Sequence, residues 1–206
     1  MAQKHRLKRT FDIILSSLGL VISSPLWLII AMGIFIEDRK SIFFLQERCG
    51  KNGKPFRIIK FRTMKYLSKN ESPHKVIYIQ NDHRITRAGK LLRVTAIDEL
   101  PCLLNILKGE MSFVGPKPLP FKIDNKALMP YDNITEVPGY IKRVQVRPGL
   151  TGLAQVYAPK VLDHSIRFRY DSDYIDKMSL TLDIKLIFLS FWITFKGKWE
   201  HRDNKI

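Results

Sequence analysis

Cysteine is scarce in this 206-residue sequence, where only Cys49 and Cys102 occur. Two widely spaced cysteines do not make a disulfide framework, so the sequence predicts a reducing, cytosol-facing environment. The five histidines show no metal-site spacing. The chain contains no internal repeat and no low-complexity tract, which excludes repeat architectures.

Acidic residues are also few: 19 Asp and Glu stand against 35 Lys and Arg, for a formal net charge of +16. This excess indicates an anionic partner, which could be nucleic acid, an anionic membrane surface or a phosphorylated substrate. The basic residues are spread along the chain and match no nucleic-acid-binding motif, which weighs against nucleic acid. The length suits one main domain with a small additional element.

One long apolar segment, residues 13–36, carries no charged residue and is long enough to cross a bilayer core of roughly 30 Å. Basic residues flank it on both sides, and the positive-inside rule therefore places both ends in the cytoplasm. A helix broken at Ser24 and Pro25 that re-enters the same face satisfies both flanks. Serine hydroxyls can bond the carbonyls that the proline frees. The alternative is an ordinary kinked helix that crosses the bilayer once, with a short periplasmic N-terminus.

From residue 41 the composition is that of a soluble domain with short elements. The patterns predict two strands within 42–64, a loop or a short irregular helix at 66–83, and short helices at 85–92 and after Thr95. They also predict extended segments within 141–157 and helices at 165–177 and 180–195. The last helix, about 180–196, is interrupted by Asp183 and Lys185. It fits either a helix at the membrane interface or a core helix.

Adjacent acids, Asp98 and Glu99, occur where the pattern predicts a helix N-terminus, with Asp98 as its N-cap and Gly109 as its end. The positive end of a helix favours ionised carboxylates and phosphates, and Mg²⁺ prefers carboxylate together with phosphate oxygens. An ionised Asp can also attack phosphorus. The plain alternative is a capping residue followed by a first-turn acid. Cys102 is expected to be a small buried apolar residue rather than a nucleophile.

Several sequence blocks together are similar to one known family. They are KRTFDI from Lys8, the Ser24-Pro25 pair, QERCGKNGKPFRIIKFRTM from Gln46, NDHRITRAGKLLR from Asn81, IDELPCLLNILKGEMSFVGPKP from Ile97, and RPGLTGLAQV from Arg147. With them the chain resembles, nearly end to end, the monotopic phosphoglycosyl transferases, or bacterial sugar transferases. Its small size is similar to that of the bacillosamine-type enzymes.

The resemblance implies a two-step reaction. Asp98 matches the family's nucleophile, which attacks the sugar-bearing phosphate of a UDP-sugar and releases UMP. Polyprenyl (undecaprenyl) phosphate then attacks the covalent phosphosugar intermediate and leaves as polyprenyl-diphosphate-sugar, the first membrane step of glycoconjugate synthesis. Glu99 matches the second acid of the dyad, and Mg²⁺ is expected near Asp98.

The same resemblance implies four substrate-binding residues. Lys60 and Arg62 lie in the KFRTM block and are expected near the substrate phosphates. Lys117 stands where the family has Arg in a Gly-Pro-Arg-Pro corner, which replaces a planar fork by a point charge. Asp171, in RYDSDYI, lies in a further block that often carries a functional acid.

Taken together, the expected fold is α+β: a mostly helical monotopic membrane protein with a small β-hairpin and amphipathic interface helices. Residues 1–40 form the re-entrant helix, and 41–206 the cytosolic catalytic domain at the inner membrane of a bacterium. UDP-sugar, polyprenyl phosphate and anionic lipid are the expected partners, without nucleic acid. The sugar and the oligomeric state stay open, with a homo-oligomer as one option. A membrane-tethered nucleic-acid-binding module and a non-catalytic scaffold are the competing hypotheses.

Overall fold

A computed structural model describes residues 2–65, 82, 84–120, 134–158 and 164–196. The helices are α1 (Ala2–Asp38), α2 (Arg87–Val94), α3 (Cys102–Lys108), α4 (Tyr140–Val144), α5 (Leu153–Tyr157), α6 (His164–Lys177) and α7 (Leu180–Phe195); the strands are β1 (Phe43–Cys49), β2 (Pro55–Phe61), β3 (Ser112–Val114) and β4 (Gly149–Thr151). The predicted α+β, mostly helical class is confirmed. Except for residue 82, the loop expected between 66 and 83 lies outside the described residues.

Helix α1 is continuous, whereas the sequence predicted a helix-break-helix with the break at Ser24 and Pro25. Because Pro25 has no N–H, the carbonyl of Val21 loses its helical donor. The Ser24 hydroxyl donates to that carbonyl at 2.8 Å and so satisfies it within the helix. The expected compensation by a serine hydroxyl is therefore confirmed, and the break itself is absent from the secondary structure.

Both ends of α1 are bonded to the rest of the molecule. Near its start, Lys8 pairs with Asp183 on α7 at 2.6 Å. Arg9 donates to the carbonyls of Ile106 and Leu107, at 2.6 and 2.7 Å, where α3 ends. These contacts place a cation at the negative end of the α3 dipole.

At its other end, α1 meets the start of α2. The Glu37 carboxylate accepts from the backbone N–H groups of Arg87 and Ala88, at 2.7 and 3.1 Å. An acid thus satisfies donors that have no partner in the first turn of a helix. Together with the bonds of Lys8 and Arg9, this contact ties both ends of α1 to the same globular part.

Residues Arg6–Glu37 of α1 are long and apolar enough to cross a membrane, and 6% of their most apolar 18-residue window is buried. A core helix of a soluble protein would be mostly buried, so the exposed apolar surface supports membrane association. Helix α7 adds to that surface, because Phe188, Phe191 and Phe195 are 71–87% exposed. On the opposite face of α7, Leu186 and Ile193 are fully buried, and Leu182 and Leu189 are partly buried.

Strands β1 and β2 form the predicted antiparallel hairpin, with Phe43 opposite Phe61 and Cys49 opposite Pro55. Its turn places Asn52 at a φ of 57°, in the left-handed region that asparagine tolerates. Along β2, Phe56 and Ile58 face α3 and pack in one core cluster with its buried side chains. Because side chains alternate along a strand, Lys60 lies on that same face.

Helix α3 is bonded to β2 through a buried amide. Asn105, which is fully buried, accepts from the N–H of Ile59 at 3.0 Å and donates to the carbonyl of Arg57 at 2.8 Å. The helix ends at Gly109, with a φ of 87°, as predicted. Within α3, Ile106 is fully buried and Leu107 is 37% exposed.

A second sheet pairs β3 with β4 in parallel, Ser112 opposite Gly149 and Val114 opposite Thr151. The sequence missed β3, and its prediction of extended segments within 141–157 was wrong except at β4, since α4 and α5 flank that strand. Glycine is required where the chains meet: a Cβ on Gly149 would lie 2.1 Å from the nitrogen of Gly115. This contact fixes where the Gly115–Pro118 corner begins.

Candidate active site

The two adjacent acids lie in a short 3₁₀ turn, Ile97–Glu99, between α2 and α3. The predicted N-cap role of Asp98 is wrong, because α3 begins later and Pro101 occupies its N-cap position. Ala96, immediately before the turn, has a φ of 54°. Left-handed backbone is unfavourable for residues with a Cβ and is concentrated at functional sites. The turn therefore presents both carboxylates without using Asp98 as a cap.

Glu99 is paired with Lys60, whose Nζ donates to its Oε1. Burial alone would raise the pKa of Glu99, but Lys60 and then Lys117 outweigh it and lower that pKa. Burial would likewise lower the pKa of Lys60, and the facing Glu99 carboxylate overcomes it and raises that pKa. The pair is thus charged, with Glu99 as a fixed anion and Lys60 as its counter-ion.

Asp98 has a different environment from its neighbour. Within the part of the chain that the structure describes, no side chain hydrogen-bonds to its carboxylate. Burial, followed by the charge of Glu99, raises the pKa of Asp98 to about 6, against the opposing charges of Lys60 and Arg93. Two carboxylates in sequence therefore have pKa values displaced in opposite directions, a pattern typical of catalytic acid pairs.

Lys117 and Arg48 supply further positive charge at the dyad, since both lower the pKa of Glu99. Lys117 is exposed on the Gly115–Pro118 corner. Arg48, at the end of β1, donates to the carbonyl of Pro118 at 3.3 Å. The predicted substrate-binding residues Lys60 and Lys117 are therefore both brought to Glu99.

Arg62 and Asp171 are held away from the dyad by other partners. Arg62 is 4% exposed, and its Nε donates to the carbonyl of Ser41 at 2.5 Å. Asp171 is 3% exposed, and its Oδ2 accepts from the Nε of Arg143 at 3.1 Å. That both residues bind substrate directly stays a prediction.

Sequence reasoning missed three arginines around the site: Arg48, Arg93 and Arg143. Arg93, on the last turn of α2, lowers the pKa of Asp98 and is oriented by a 2.9 Å bond from its Nε to the hydroxyl of Thr63. Arg48 and Arg93 lie inside the blocks QERCG and AGKLLR, and that membership was the available signal. Arg143 lies outside the quoted blocks and had no such signal.

Cys102 is close to the dyad but is fully buried, and its Sγ donates to the carbonyl of Ile59 at 3.3 Å. Burial, followed by the charge of Glu99, raises the pKa of this thiol. A buried thiol with a raised pKa supplies little thiolate. The prediction that Cys102 is a structural residue is confirmed.

The fit of Mg²⁺ to this site depends on oxygen donors. Among the described residues, no group of three or more His, Cys, Asp or Glu side chains converges. Mg²⁺ usually keeps several waters and binds one or two carboxylates together with substrate phosphates. The carboxylate of Asp98, to which no side chain in the described ranges hydrogen-bonds, fits that donor set, whereas Glu99 is paired with Lys60.

Comparison with known proteins shows the family to which the chain belongs. The family model described as "Bacterial sugar transferase" matches residues 3–197 of the chain. A UDP-glucose:undecaprenyl-phosphate glucose-1-phosphate transferase of Klebsiella pneumoniae is 40% identical over 196 residues, which cover 92% of this chain and 40% of that protein.

Two further relatives extend the comparison. A UDP-N-acetylgalactosamine-undecaprenyl-phosphate N-acetylgalactosaminephosphotransferase of Aeromonas hydrophila is 39% identical, over 88% of this chain and 42% of its own length. The exopolysaccharide production protein ExoY of Sinorhizobium fredii is 35% identical, over 88% of this chain and 82% of its own length. The chain thus spans about two-fifths of the Klebsiella and Aeromonas proteins and most of ExoY.

Proposed function

Because the chain belongs to the bacterial sugar transferase family, we propose that it transfers a sugar 1-phosphate from a UDP-sugar to polyprenyl phosphate. The observation that carries the proposal is the contrast within the acid pair. Asp98 is not bonded to any described side chain, while Glu99 is held by Lys60. One carboxylate is therefore available to react, and the other keeps a cation beside it.

In the first step, an oxygen of the Asp98 carboxylate attacks the phosphorus that carries the sugar. A bond forms between this oxygen and phosphorus, and the bond from phosphorus to the bridging oxygen of the diphosphate breaks. UMP departs with that oxygen and its electron pair. The product is an acyl phosphate that joins Asp98 to the sugar phosphate.

In the second step, a phosphate oxygen of the lipid attacks the same phosphorus. The bond between phosphorus and Asp98 breaks, so the carboxylate is regenerated and polyprenyl-diphosphate-sugar is formed. Lys60, Lys117 and the nearby arginines oppose the negative charge that gathers as two anionic substrates meet. The known names of the relatives support glucose and N-acetylgalactosamine as candidate sugars and do not choose between them.

Mg²⁺ belongs to the proposal as a bound cofactor. Asp98 would hold it together with phosphate oxygens of the UDP-sugar, and the ion would neutralise charge on the diphosphate. Lys60 keeps Glu99 in its ionised form beside this position. Glu99 therefore supplies negative charge beside the ion, and it forms no covalent bond with the substrate.

The membrane topology that we propose is re-entrant, with both ends of α1 in the cytoplasm. Its support is that Lys8 and Arg9 at one end, and Glu37 at the other, bond to the same globular part. A straight crossing would place one of these ends on the far side of the bilayer, away from its partners. The exposed phenylalanines of α7 support a position for that helix at the same membrane face.

The direct test uses detergent-purified protein, Mg²⁺, undecaprenyl phosphate and a panel of UDP-sugars. We expect UMP release with at least one sugar and formation of a lipid-linked sugar diphosphate, measured by luminescence and mass spectrometry. No UMP with any sugar would count against the enzyme and favour a non-catalytic scaffold.

The pH dependence of kcat/KM tests the electrostatics of the pair. Because Asp98 must be ionised to attack and its pKa is raised to about 6, kcat/KM should fall as the pH drops below about 6. Lys60→Met removes a cation that lowers this pKa, so the acid limb should move to higher pH. Glu99→Gln removes an anion that raises it, so the limb should move to lower pH.

Lys90→Met is the matched control for these profiles, since Lys90 is exposed on α2 and does not act on Asp98. Its limb should coincide with that of the wild type. Movement of the Lys60→Met and Glu99→Gln limbs in the same direction would contradict the assignment of the limb to Asp98.

A further inference from the structure

Four successive backbone carbonyls, from Pro116 in the corner to Leu119 just after it, are each bonded to a different donor. Pro116 accepts from the N–H of Gly149 at 2.9 Å, Lys117 from the Nη2 of Arg143 at 2.7 Å, Pro118 from the Nη1 of Arg48 at 3.3 Å, and Leu119 from the N–H of Cys49 at 2.8 Å. Because Pro116 and Pro118 have no N–H, this segment cannot complete an ordinary strand ladder. The side chains of Arg143 and Arg48 therefore hold the backbone at the two middle carbonyls, those of Lys117 and Pro118.

Arg143 is held on three sides. Its Nε donates to Asp171 at 3.1 Å, its Nη2 donates to the carbonyl of Lys117, and its guanidinium lies 4.5 Å from the ring centre of Phe168. Arg143 is 6% exposed and Asp171 is 3% exposed. A planar guanidinium in such a setting has little freedom to rotate, so its bond to Lys117 has a defined direction.

A buried ion pair needs a reason, because the cost of removing both charges from water can exceed their attraction. A pair of apolar residues would often pack as well. The Arg143–Asp171 pair does more than fill space, because one guanidinium nitrogen of Arg143 also donates to the carbonyl of Lys117. Apolar residues could not make this bond and so could not hold the Lys117 peptide in place.

We propose that Arg143, oriented by Asp171, is a positioning residue that fixes the Lys117 peptide and thereby aims the Lys117 ammonium group at the substrate phosphates. The inference rests on the proposed function. A lysine is a point charge on a flexible stem, so an anchored backbone shortens the range its ammonium group can sample. Asp171 then affects the reaction through Arg143 and Lys117, without touching substrate.

The test is a double-mutant cycle with Arg143→Lys, Lys117→Met and the double variant, measured as kcat and KM for the UDP-sugar. Lysine at 143 can keep the pair with Asp171 but cannot hold both Asp171 and the Lys117 carbonyl in a planar fork. We expect each single change to lower kcat/KM by about 10- to 100-fold, in keeping with the loss of a charged hydrogen bond. The double variant should be no worse than Lys117→Met alone, because Arg143 acts through Lys117.

If the fold losses in kcat/KM of the two single variants multiply in the double variant, the proposal is overturned. Such a result means that Arg143→Lys lowers activity to the same extent with lysine or methionine at position 117, as a general structural role predicts. Lys142→Met is the control: Lys142 is the neighbour of Arg143 and pairs with exposed Asp176, so kcat/KM should not change. Thermal melting in detergent checks that the variants fold.

If Arg143→Lys does not fold, the same cycle is run with Asp171→Asn, which retains the arginine and its bond to Lys117 but weakens its orientation. Loss of folding in both variants would assign the pair a purely structural role and overturn the proposal. The two hypotheses fail differently: an inactive wild type refutes the transferase, whereas an active wild type with an additive cycle refutes only the positioning role.

Discussion

Asp98→Asn is expected to lower UMP release by at least about 10³-fold, the scale seen when a nucleophile is removed from an enzyme. The amide has nearly the shape of the carboxylate but carries no charge and is a poor nucleophile. Because no described side chain hydrogen-bonds to Asp98, the substitution should leave the fold intact. The measurement is steady-state UMP release, together with thermal melting of both proteins.

A covalent intermediate gives this prediction a second readout. Without polyprenyl phosphate, the wild type should release a burst of UMP of about one equivalent per protein and retain labelled sugar phosphate. Asp98→Asn should show neither, whereas Asp173→Asn, at an exposed acid on α6, should behave as the wild type. Near-wild-type turnover in Asp98→Asn would refute the assignment of the nucleophile.

Cysteine labelling of the membrane helix should give an all-or-none result. In a background without Cys49 and Cys102, single cysteines replace Arg6, Lys40 and Lys51, all of which have exposed side chains. If α1 re-enters, a membrane-impermeant maleimide should label none of them in intact spheroplasts and all three after permeabilisation. The physical reason is that both ends of α1 bond to the globular part.

The Lys51 position, in the turn of the hairpin, serves as the internal reference because it belongs to the globular part in either topology. Labelling of position 6 in intact spheroplasts, with 40 and 51 protected, would establish a straight crossing and refute the re-entrant proposal. Activity of each variant confirms that the labelled molecules are folded.

Elements with strong local signals were predictable. The hairpin was predicted from its alternating side chains and from the turn residues Gly50, Asn52 and Gly53, and α6 and α7 were predicted from their helical spacing. Strands β3 and β4 have three residues each, too few for any periodicity, and they pair across the intervening chain. Their existence depends on a close approach between Gly115 and Gly149 that local sequence does not report.

The site divides in the same way. The dyad and Lys60 were identified through the resemblance, and the structure adds that Lys60 pairs with Glu99, while none of the side chains described hydrogen-bonds to Asp98. The start of α3 was misplaced because an acid three residues before Pro101 has the sequence pattern of a cap. Arg143 was missed because its two polar partners, the Asp171 carboxylate and the Lys117 carbonyl, are both distant in sequence, and local sequence does not show such long-range contacts.

The bonds at the two ends of α1 have a thermodynamic consequence for the whole protein. A bilayer that holds the apolar helix in the arrangement where Arg9 and Glu37 meet α3 and α2 favours the folded state over one in which those contacts are lost. Insertion and folding are then linked equilibria, so lipid acts as a stabilising ligand of the entire chain. Acyl-chain length and headgroup charge should therefore shift the melting temperature of the whole chain, including the part that follows α1.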